Sequence, residues 1–445
     1  MGKTDTIVAI STPAGIGGVA LLRISGAEAL SMTLPFLSTK TIKPRHSTFT
    51  RFITNGNLID EILVVLYPAP HSYTGEDMIE ISCHGSLYIQ QTLLDSYIQS
   101  GARLAEAGEF TRRAFLNGKL NLSQAEAVAD LIDSVTPAAH RLAISQLRGG
   151  YAQQLQVLRQ QLLDLTSLLE LELDFSQEDV EFADRSQLLQ LLTTLDTQLT
   201  TLISTFRMGN ALKQGIPTAI LGRPNAGKSS LLNALLNDNR AIVSPVPGTT
   251  RDTIEELLTI DGITFRFIDT AGLRATDDDI ESQGIDRSYK ALQQADIILY
   301  VHDATHPFET QELANLNLTG KQLLLIFNKT DLAEQFPNPL PSNAIPISCT
   351  SGEGLDLLKQ ALTGIVVRKL PSEGNILLSN ARHHEALVKV QQALKHASEE
   401  LMEGIPADLV AVDLRDALYH LGAITGEVTS PDILTNIFSR FCIGK

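Results

Sequence analysis

The period of the apolar positions changes along this chain, and each change predicts a different kind of element. From residue 4 to about 118, short apolar runs at Thr6 to Ile10, Val19 to Ile24, Ile62 to Tyr67 and Met78 to Ser82 are separated by Gly- and Pro-rich turns. This is the pattern of strands in a compact α+β unit. After Gly118 the period lengthens: Ser123 and Glu126 have the spacing of a capping box, and helical spacing continues to Asp133. Leu155, Leu158, Leu162, Leu165, Leu168 and Leu171 then recur at intervals of three and four. An acidic break at Gln177 to Glu181 precedes a second leucine-rich helix from about Ser186 to Phe206. The break and return predict long antiparallel helices of an intramolecular bundle; a coiled-coil partner face is the alternative reading of the stripe.

Between about 212 and 375 the pattern is α/β, with apolar strands at Thr218 to Leu221, Thr264 to Ile268 and Ala344 to Ile347 and an apolar helix starting at Ser229. Helical texture resumes near Asn380 to Met402, Asp408 to Leu421 and Ile433 to Phe441. Helices on both sides of an α/β unit predict an insertion, because the ends of a domain often lie close together. The expected layout is an N-terminal α+β domain (1–118), a helical domain in two parts (119–211 and 376–445) and an inserted α/β domain (212–375).

Four strings within the inserted part predict a guanine-nucleotide site. GRPNAGKS at Gly222 to Ser229 fits the phosphate-loop pattern G-x-x-x-x-G-K-S. Its glycines let backbone N–H groups approach phosphate oxygens, Lys228 reaches the terminal phosphates, and the Ser229 hydroxyl suits magnesium. PGTTRD spans Pro247 to Asp252, and DTAG spans Asp269 to Gly272. In the latter, Asp269 can hold the magnesium shell and the Gly272 amide can approach the terminal phosphate. NKTD at Asn328 to Asp331 selects the base, since the Asp331 carboxylate can accept from the ring N–H and exocyclic amine of guanine, a donor pair adenine lacks. SCTSGEG at Ser348 to Gly354 fits a loop closing over that base, with Cys349 where alanine is usual.

Composition narrows the class. A chain of 445 residues, 43% hydrophobic, can build two or three cores. No run reaches the roughly 18 apolar residues of a membrane span, and MGKTDTIVAI lacks the features of a secretory signal, so a cytoplasmic protein is expected. The termini MGKTDT and CIGK imitate lipidation sites, but the first runs into a strand and the second lacks the aliphatic residue and apolar end prenylation requires. Cys83, Cys349 and Cys442 have no metal-ligand spacing and form no disulfide framework. A net charge of −16 argues against a chain that grips nucleic acid by itself. Gly15, Gly17 and Ala20 satisfy G-x-G-x-x-A, but the β-like VALLRIS follows and no acidic residue stands near the expected ribose position, which argues against a dinucleotide site there.

The hydrolytic group is not where Ras-like proteins carry it. Leu273 follows DTAG where a water-orienting glutamine would stand. Asp277, Asp278, Asp279 and Glu281 come next, and either one of them positions the water or the segment is a solvated acidic loop. Asn225 likewise reads either as a turn former or as a ligand for a monovalent cation that replaces an arginine finger.

TPAGIGGVALLRISG at Thr12 to Gly26, HSYTGEDMIEISCHG at His71 to Gly85, AGEFTRRAFLNGKLNLSQAEAVADLI at Ala107 to Ile132 and the terminal FCIGK, together with the nucleotide strings, resemble the tRNA modification GTPase MnmE (TrmE) family over essentially the whole chain. The resemblance implies an N-terminal domain that binds 5-formyl- or methylene-tetrahydrofolate and forms a homodimer, a helical domain, and an inserted Ras-like P-loop GTPase domain. It implies folate contacts at Arg23, Glu80, Lys119 and Lys445. Nucleotide contacts are implied at Asn225, Ala226, Gly227, Lys228, Ser229 and Ser230, at Ser244, Thr249 and Thr250, at Asp269, Thr270, Ala271 and Gly272, and at Asn328, Lys329, Asp331 and Ser348. Magnesium falls to Ser229 and Thr250, and potassium to Asn225, Ser244, Val246 and Thr249, with Pro245 and Pro247 departing from the usual form of that loop. Glu281 matches the water-orienting glutamate and Lys228 serves the terminal phosphates. An FAD-containing MnmG (GidA) partner and tRNA are implied, the tRNA held largely through the partner. A structural role is expected for Cys442, as a small buried apolar residue. The rival functions are a ribosome-assembly GTPase, whose basic RNA-binding appendage this chain lacks, and a folate-dependent aminomethyl transferase regulated by GTP.

Overall fold

The computed structural model describes residues 5–174, 185–237, 255–268, 291–309, 313, 316, 318–333, 341, 343–368 and 376–445. They form two compact units. One comprises Met1–Ile132, Gln146–Ala183 and Glu399–Lys445, the other Asp133–Ser145 and Asp184–Ser398.

The first unit is built on a six-stranded sheet of order β3-β4-β5-β2-β1-β6. The strands are β1 (Ile7–Ile10), β2 (Gly17–Ser25), β3 (Thr48–Thr54), β4 (Asn57–Tyr67), β5 (Met78–Gly85) and β6 (Arg103–Leu104). All neighbours are antiparallel except β1 and β6. Along β4, Ile62, Val64 and Leu66 are buried while Glu61 and Leu63 are exposed, the alternation of a sheet with one covered face. The helix Leu87–Gln99 covers that face, placing Leu93 and Tyr97 among Leu22, Phe52, Val64 and Ile81. Strand β3 escapes the apolar pattern because TFTRFIT places Thr50 beside Phe52 on its buried inner face and leaves Phe49 exposed beside Arg51 on its outer one.

The helix Leu122–Asp133 begins two residues earlier than Ser123 and Glu126 suggest. Asn121 is the cap: its Oδ1 accepts from the Gln124 amide at 2.8 Å, and Gln124 Oε1 accepts in return from the Asn121 amide at 3.1 Å. This reciprocal N-x-x-Q box satisfies two of the orphan donors at the helix start, and Ser123 instead donates to the Asn121 side chain at 2.8 Å. In the helix Gly150–Asp174, Leu155, Leu158, Leu162 and Leu165 are buried, but the stripe continues through Leu169 while Leu168 is 37% exposed. The seam keeps the strict heptad alternation of three and four, stepping four residues from Leu165 to Leu169 where the sequence stripe steps three to Leu168, and it meets the facing helix Ala407–Thr425. Arg415 to Glu170 at 2.7 Å and Arg159 to Glu427 at 2.6 Å flank this packing.

The second unit contains the sheet β12-β11-β10-β7-β9-β8. Its strands are β7 (Ile216–Leu221), β8 (Glu256–Ile260), β9 (Ile263–Phe267), β10 (Ile297–Asp303), β11 (Gln322–Asn328) and β12 (Ala344–Pro346). All pairs are parallel except β8 with β9. The near-continuous apolar runs IPTAIL, IILYVHD and QLLLIFN suit strands covered on both faces. Leu231, Leu235, Leu358 and Leu362 pack on one side, and Ala291, Leu292 and Ala295 on the other. Strand β7 has β9 on one flank and β10 on the other, so its C-terminal end is the point where the strand order reverses, the place where open α/β sheets bind ligands. The helix Arg185–Ser204 buries Leu188, Leu192, Leu195, Leu199 and Leu202. Its Asp196 accepts from Gln391 Nε2 at 3.0 Å, on the helix Ala381–Glu403.

Candidate functional site

The phosphate loop leaves β7 at Gly222 and ends in the helix Lys228–Leu236, whose first N–H groups point back toward the loop. Asn225 holds φ +60° and Gly227 φ +97°. Lys228 Nζ lies over the loop, donating to the carbonyls of Gly222 at 3.0 Å and Arg223 at 2.8 Å. Burial lowers the pKa of this ammonium, and among the described residues no carboxylate pairs with it. A half-buried cation held only by neutral carbonyls fits a polyanion at the loop.

Asn328, at the end of β11, is 2% exposed and joins two loops. Its Nδ2 donates to Ala226 O at 3.0 Å, 102 residues away, and its Oδ1 accepts from the Cys349 amide at 3.2 Å. The amide is thus spent on the backbone of the phosphate loop and of SCTSGEG, a clasp that sequence reasoning, which assigned Asn328 to base choice, does not reveal. Asp331 is exposed and close enough to Cys349 that its charge, after burial, raises the thiol pKa to about 11. Ser348 is fully buried and its Oγ accepts from the Ser351 amide at 3.1 Å, shaping the turn.

Lys329, in the left-handed region at φ +64°, donates to Asp303 Oδ2 at 2.6 Å. Burial alone would raise the Asp303 pKa, but the Lys329 ammonium and the Thr305 hydroxyl and amide hold it down at about 2. This fixed ion pair at the ends of β10 and β11 is a site element that no motif announced. The predicted Ser229 and Ser230 sit in the first turn of the Lys228–Leu236 helix. Ser244, Val246, Thr249, Thr250, Asp269, Thr270, Ala271, Gly272 and Glu281 lie outside the described residues.

A second cluster forms in the first unit. Arg23 on β2 donates from Nη2 and Nε to Glu80 Oε1 on β5, at 2.6 and 2.9 Å. Its guanidinium lies 5.5 Å from the Tyr73 ring centroid and 5.6 Å from that of Phe110. The C-terminus reaches the same place: Gly444 O accepts from Arg23 Nη1 at 3.4 Å and from Ser11 Oγ at 3.0 Å. Arg23, Glu80 and the backbone next to Lys445 are therefore brought together, while Lys119 Nζ donates to Pro70 O at 2.9 Å in the loop that carries Tyr73. Burial, then the Glu80 charge, raises the pKa of Tyr67, so this phenol belongs to the cluster as well. Cys442 is exposed, not buried as expected. Its carbonyl performs the structural role, accepting from the Gly108 amide at 3.4 Å and the Lys445 amide at 3.3 Å.

A mostly parallel sheet with a phosphate loop at its switch point, clasped to an NKTD strand end, defines the class of P-loop nucleotide-binding proteins with a guanine-type base motif. Family models extend this: the GTP-binding protein TrmE N-terminus matches residues 6–119, and the MnmE helical domain matches 122–442. The chain is 46% identical to the tRNA modification GTPase MnmE of Porphyromonas gingivalis, covering 99% of this chain and 98% of that protein. It is 47% identical to the protein of the same name from Parabacteroides distasonis, covering 99% and 100%. Among solved structures, the G domain of the Thermotoga maritima FeoB iron transporter is 27% identical over 34% of this chain and 97% of its own, with a TM-score of 0.25. The chain belongs to the MnmE family of tRNA modification GTPases. Among the described residues, no helix is long and apolar enough to cross a membrane.

Proposed function

We propose that this chain hydrolyses GTP in the service of tRNA wobble-uridine modification. Together with an FAD-containing MnmG (GidA) partner, it adds an aminomethyl or carboxymethylaminomethyl group at carbon five, drawing the one-carbon unit from a tetrahydrofolate. The observation that carries the nucleotide half is the Asn328 clasp, which sets the phosphate loop and the SCTSGEG loop around one space at the sheet's C-terminal edge. Full-length relatives named for tRNA modification support the other half.

The hydroxyl of Ser229 and the amide oxygen of Asn225 are hard oxygen donors, and such donors fit magnesium and potassium. Bound there, the ions would offset phosphate charge. Lys228 binds the terminal phosphates, Asp331 accepts from the guanine edge, and Glu281 orients the attacking water. Potassium-dependent pairing of two nucleotide domains in a homodimer completes the site. In the first unit, Glu80 suits the paired donors of a pterin, while Arg23, Lys119 and Lys445 suit folate carboxylates. The proposed layout is a folate domain at 1–118, a helical domain at 119–211 with 376–445, and the GTPase domain at 212–375, in the cytoplasm.

Nucleoside analysis of tRNA from a strain lacking the gene is the main test. Loss of the wobble-uridine modification is expected, and restoration by the wild-type chain but not by Lys228→Ala; unchanged uridines would refute the reading. Equal GTP turnover in sodium and potassium buffers would refute the ion assignment alone.

A further inference from the structure

At the other end of the nucleotide-binding sheet, where β7, β10 and β11 begin, lies a cavity of about 660 Å³. This is within the range of small-molecule sites, about 300–1,000 Å³. The helix Phe206–Gln214 forms one wall, and the segments entering β10 and β11 form another. Its position at the N-terminal ends of the strands separates it from the phosphate loop, which leaves the C-terminal end of β7.

The charge of this cavity runs against that of the chain. The whole sequence has 51 acidic and 35 basic residues, yet the cavity is lined by Arg207, Arg266 and Lys321 against the single carboxylate of Asp296. Asp296 is already paired with Arg207. Arg266 Nη1 is fastened to both oxygens of Glu255, each at 3.0 Å. Lys321 is different: its ammonium donates to the carbonyls of Gln293 at 2.9 Å and Ala295 at 2.7 Å, and among the described residues no carboxylate lies within ion-pair distance. Burial, followed by the repulsion of Arg207, lowers its pKa, and the Asp296 carboxylate, committed to Arg207, offsets this only in part. An anion would relieve that imbalance. Phe206, stacked on His384 at a centroid distance of 4.1 Å, adds a fixed aromatic surface to the same cavity.

We propose that this cavity is a second ligand site, for a small phosphate- or carboxylate-bearing molecule with a flat apolar part, the anion seated at Lys321 and Arg207 and the flat part against Phe206. The site is independent of the nucleotide. The test uses the full chain with GDP and magnesium in excess, so that the phosphate loop is blocked, and titrates phenyl phosphate and benzoate separately by calorimetry. Saturable binding of at least one is expected, and the stronger of the two identifies the anion. Lys321→Gln should weaken it tenfold or more. Gln294→Trp, a substitution at an exposed position on the rim, should fill the cavity and abolish binding, and it decides the matter if Lys321→Gln does not fold. A fluorescent GDP analogue should bind all three proteins equally, which distinguishes failure here from failure of the nucleotide reading. Absence of saturable binding for both probes, or binding unaltered by either substitution, overturns the proposal.

Discussion

Gly227 and Asn328 form a contact whose coupling can be measured. A methyl group on Gly227 would lie 2.0 Å from Asn328 Nδ2 and 3.3 Å from Asn328 Cγ, and apart from the adjoining residues no other described atom comes within 4 Å of it. Gly227→Ala therefore meets two costs. At φ +97° and ψ 27° an L-residue is strained by about 1–2 kcal/mol. The overlap must also displace the Asn328 amide, breaking its 3.0 Å bond to Ala226 O in a site that is 2% exposed; a buried polar group left unmade costs about 1–3 kcal/mol. The sum is about 2–5 kcal/mol. In an Asn328→Ala background the overlap vanishes, and only the backbone cost of about 1–2 kcal/mol remains. The two substitutions should thus fall short of additivity by about 1–3 kcal/mol, roughly 5- to 150-fold in affinity where the free loop relaxes and nucleotide binding restores the clasped form. Because unfolding of a two-unit chain is not two-state, the cycle is read from equilibrium binding of a fluorescent GDP analogue to the four folded proteins. If Gly227→Ala weakens binding by the same factor in both backgrounds, within twofold, the clasp does not couple the loops and the reasoning is wrong.

Three further outcomes follow from the first unit. Arg113 is 6% exposed and bonds Glu109, Glu76 and Asp5, each at 3.0 Å, so Arg113→Met should leave the Glu76 carboxylate without its arginine while Glu109 and Asp5 keep Arg103; in thermal melts by circular dichroism the first unit should melt about 4 °C lower or more, whereas Arg112→Met, whose nearest partner Glu106 is exposed, should lower it by about 2 °C or less. The Arg103 hydrogen bond holds the Asp5 carboxyl below its ordinary value, and for Glu109, which burial alone would raise, bonds from Arg103, the Glu106 amide and Arg113 do the same. Depressed folded pKa values mean that this stabilisation is complete above the ordinary carboxylate range near pH 4 and is lost as pH falls through the lower folded values; melting temperature against pH should drop less steeply below pH 4 in Arg103→Ala than in the wild type, and identical slopes would refute the assignment. Gly444 has φ +94°, and a Cβ there would lie 2.4 Å from Ile10 O, so Gly444→Ala should detach the terminus from Arg23 and weaken tetrahydrofolate binding at least tenfold while leaving GDP affinity unaltered.

What was legible in the sequence follows from how far apart the interacting residues are. The phosphate loop, its strand and its helix are contiguous, and the glycine and lysine spacing reads directly as the observed turn between Leu221 and Lys228. Helix existence was legible from period, but details that depend on a one-residue choice were not. Asn121 and Gln124 compete with Ser123 and Glu126 for the cap, and the winner is decided by where Leu122 is buried. Leu168 and Leu169 compete for the seam, and the facing helix selects Leu169. The least legible features are those that join distant segments through backbone atoms: Asn328 to Ala226, Asn328 to Cys349, and Gly444 to Ser11 across 433 residues. Backbone carbonyls and amides have no residue identity, so a side chain committed to one leaves no paired pattern to read. That is also why NKTD read as a base-selecting string alone. Its aspartate is exposed, but its asparagine and lysine are held by the phosphate loop and by β10, so the string that selects the base also fixes the space in which the base is selected. A substitution at Asn328 should therefore lower affinity for every nucleotide that uses the phosphate loop, whereas one at Asp331 should alter discrimination between bases, and comparing GDP with ADP binding in the two variants separates the roles.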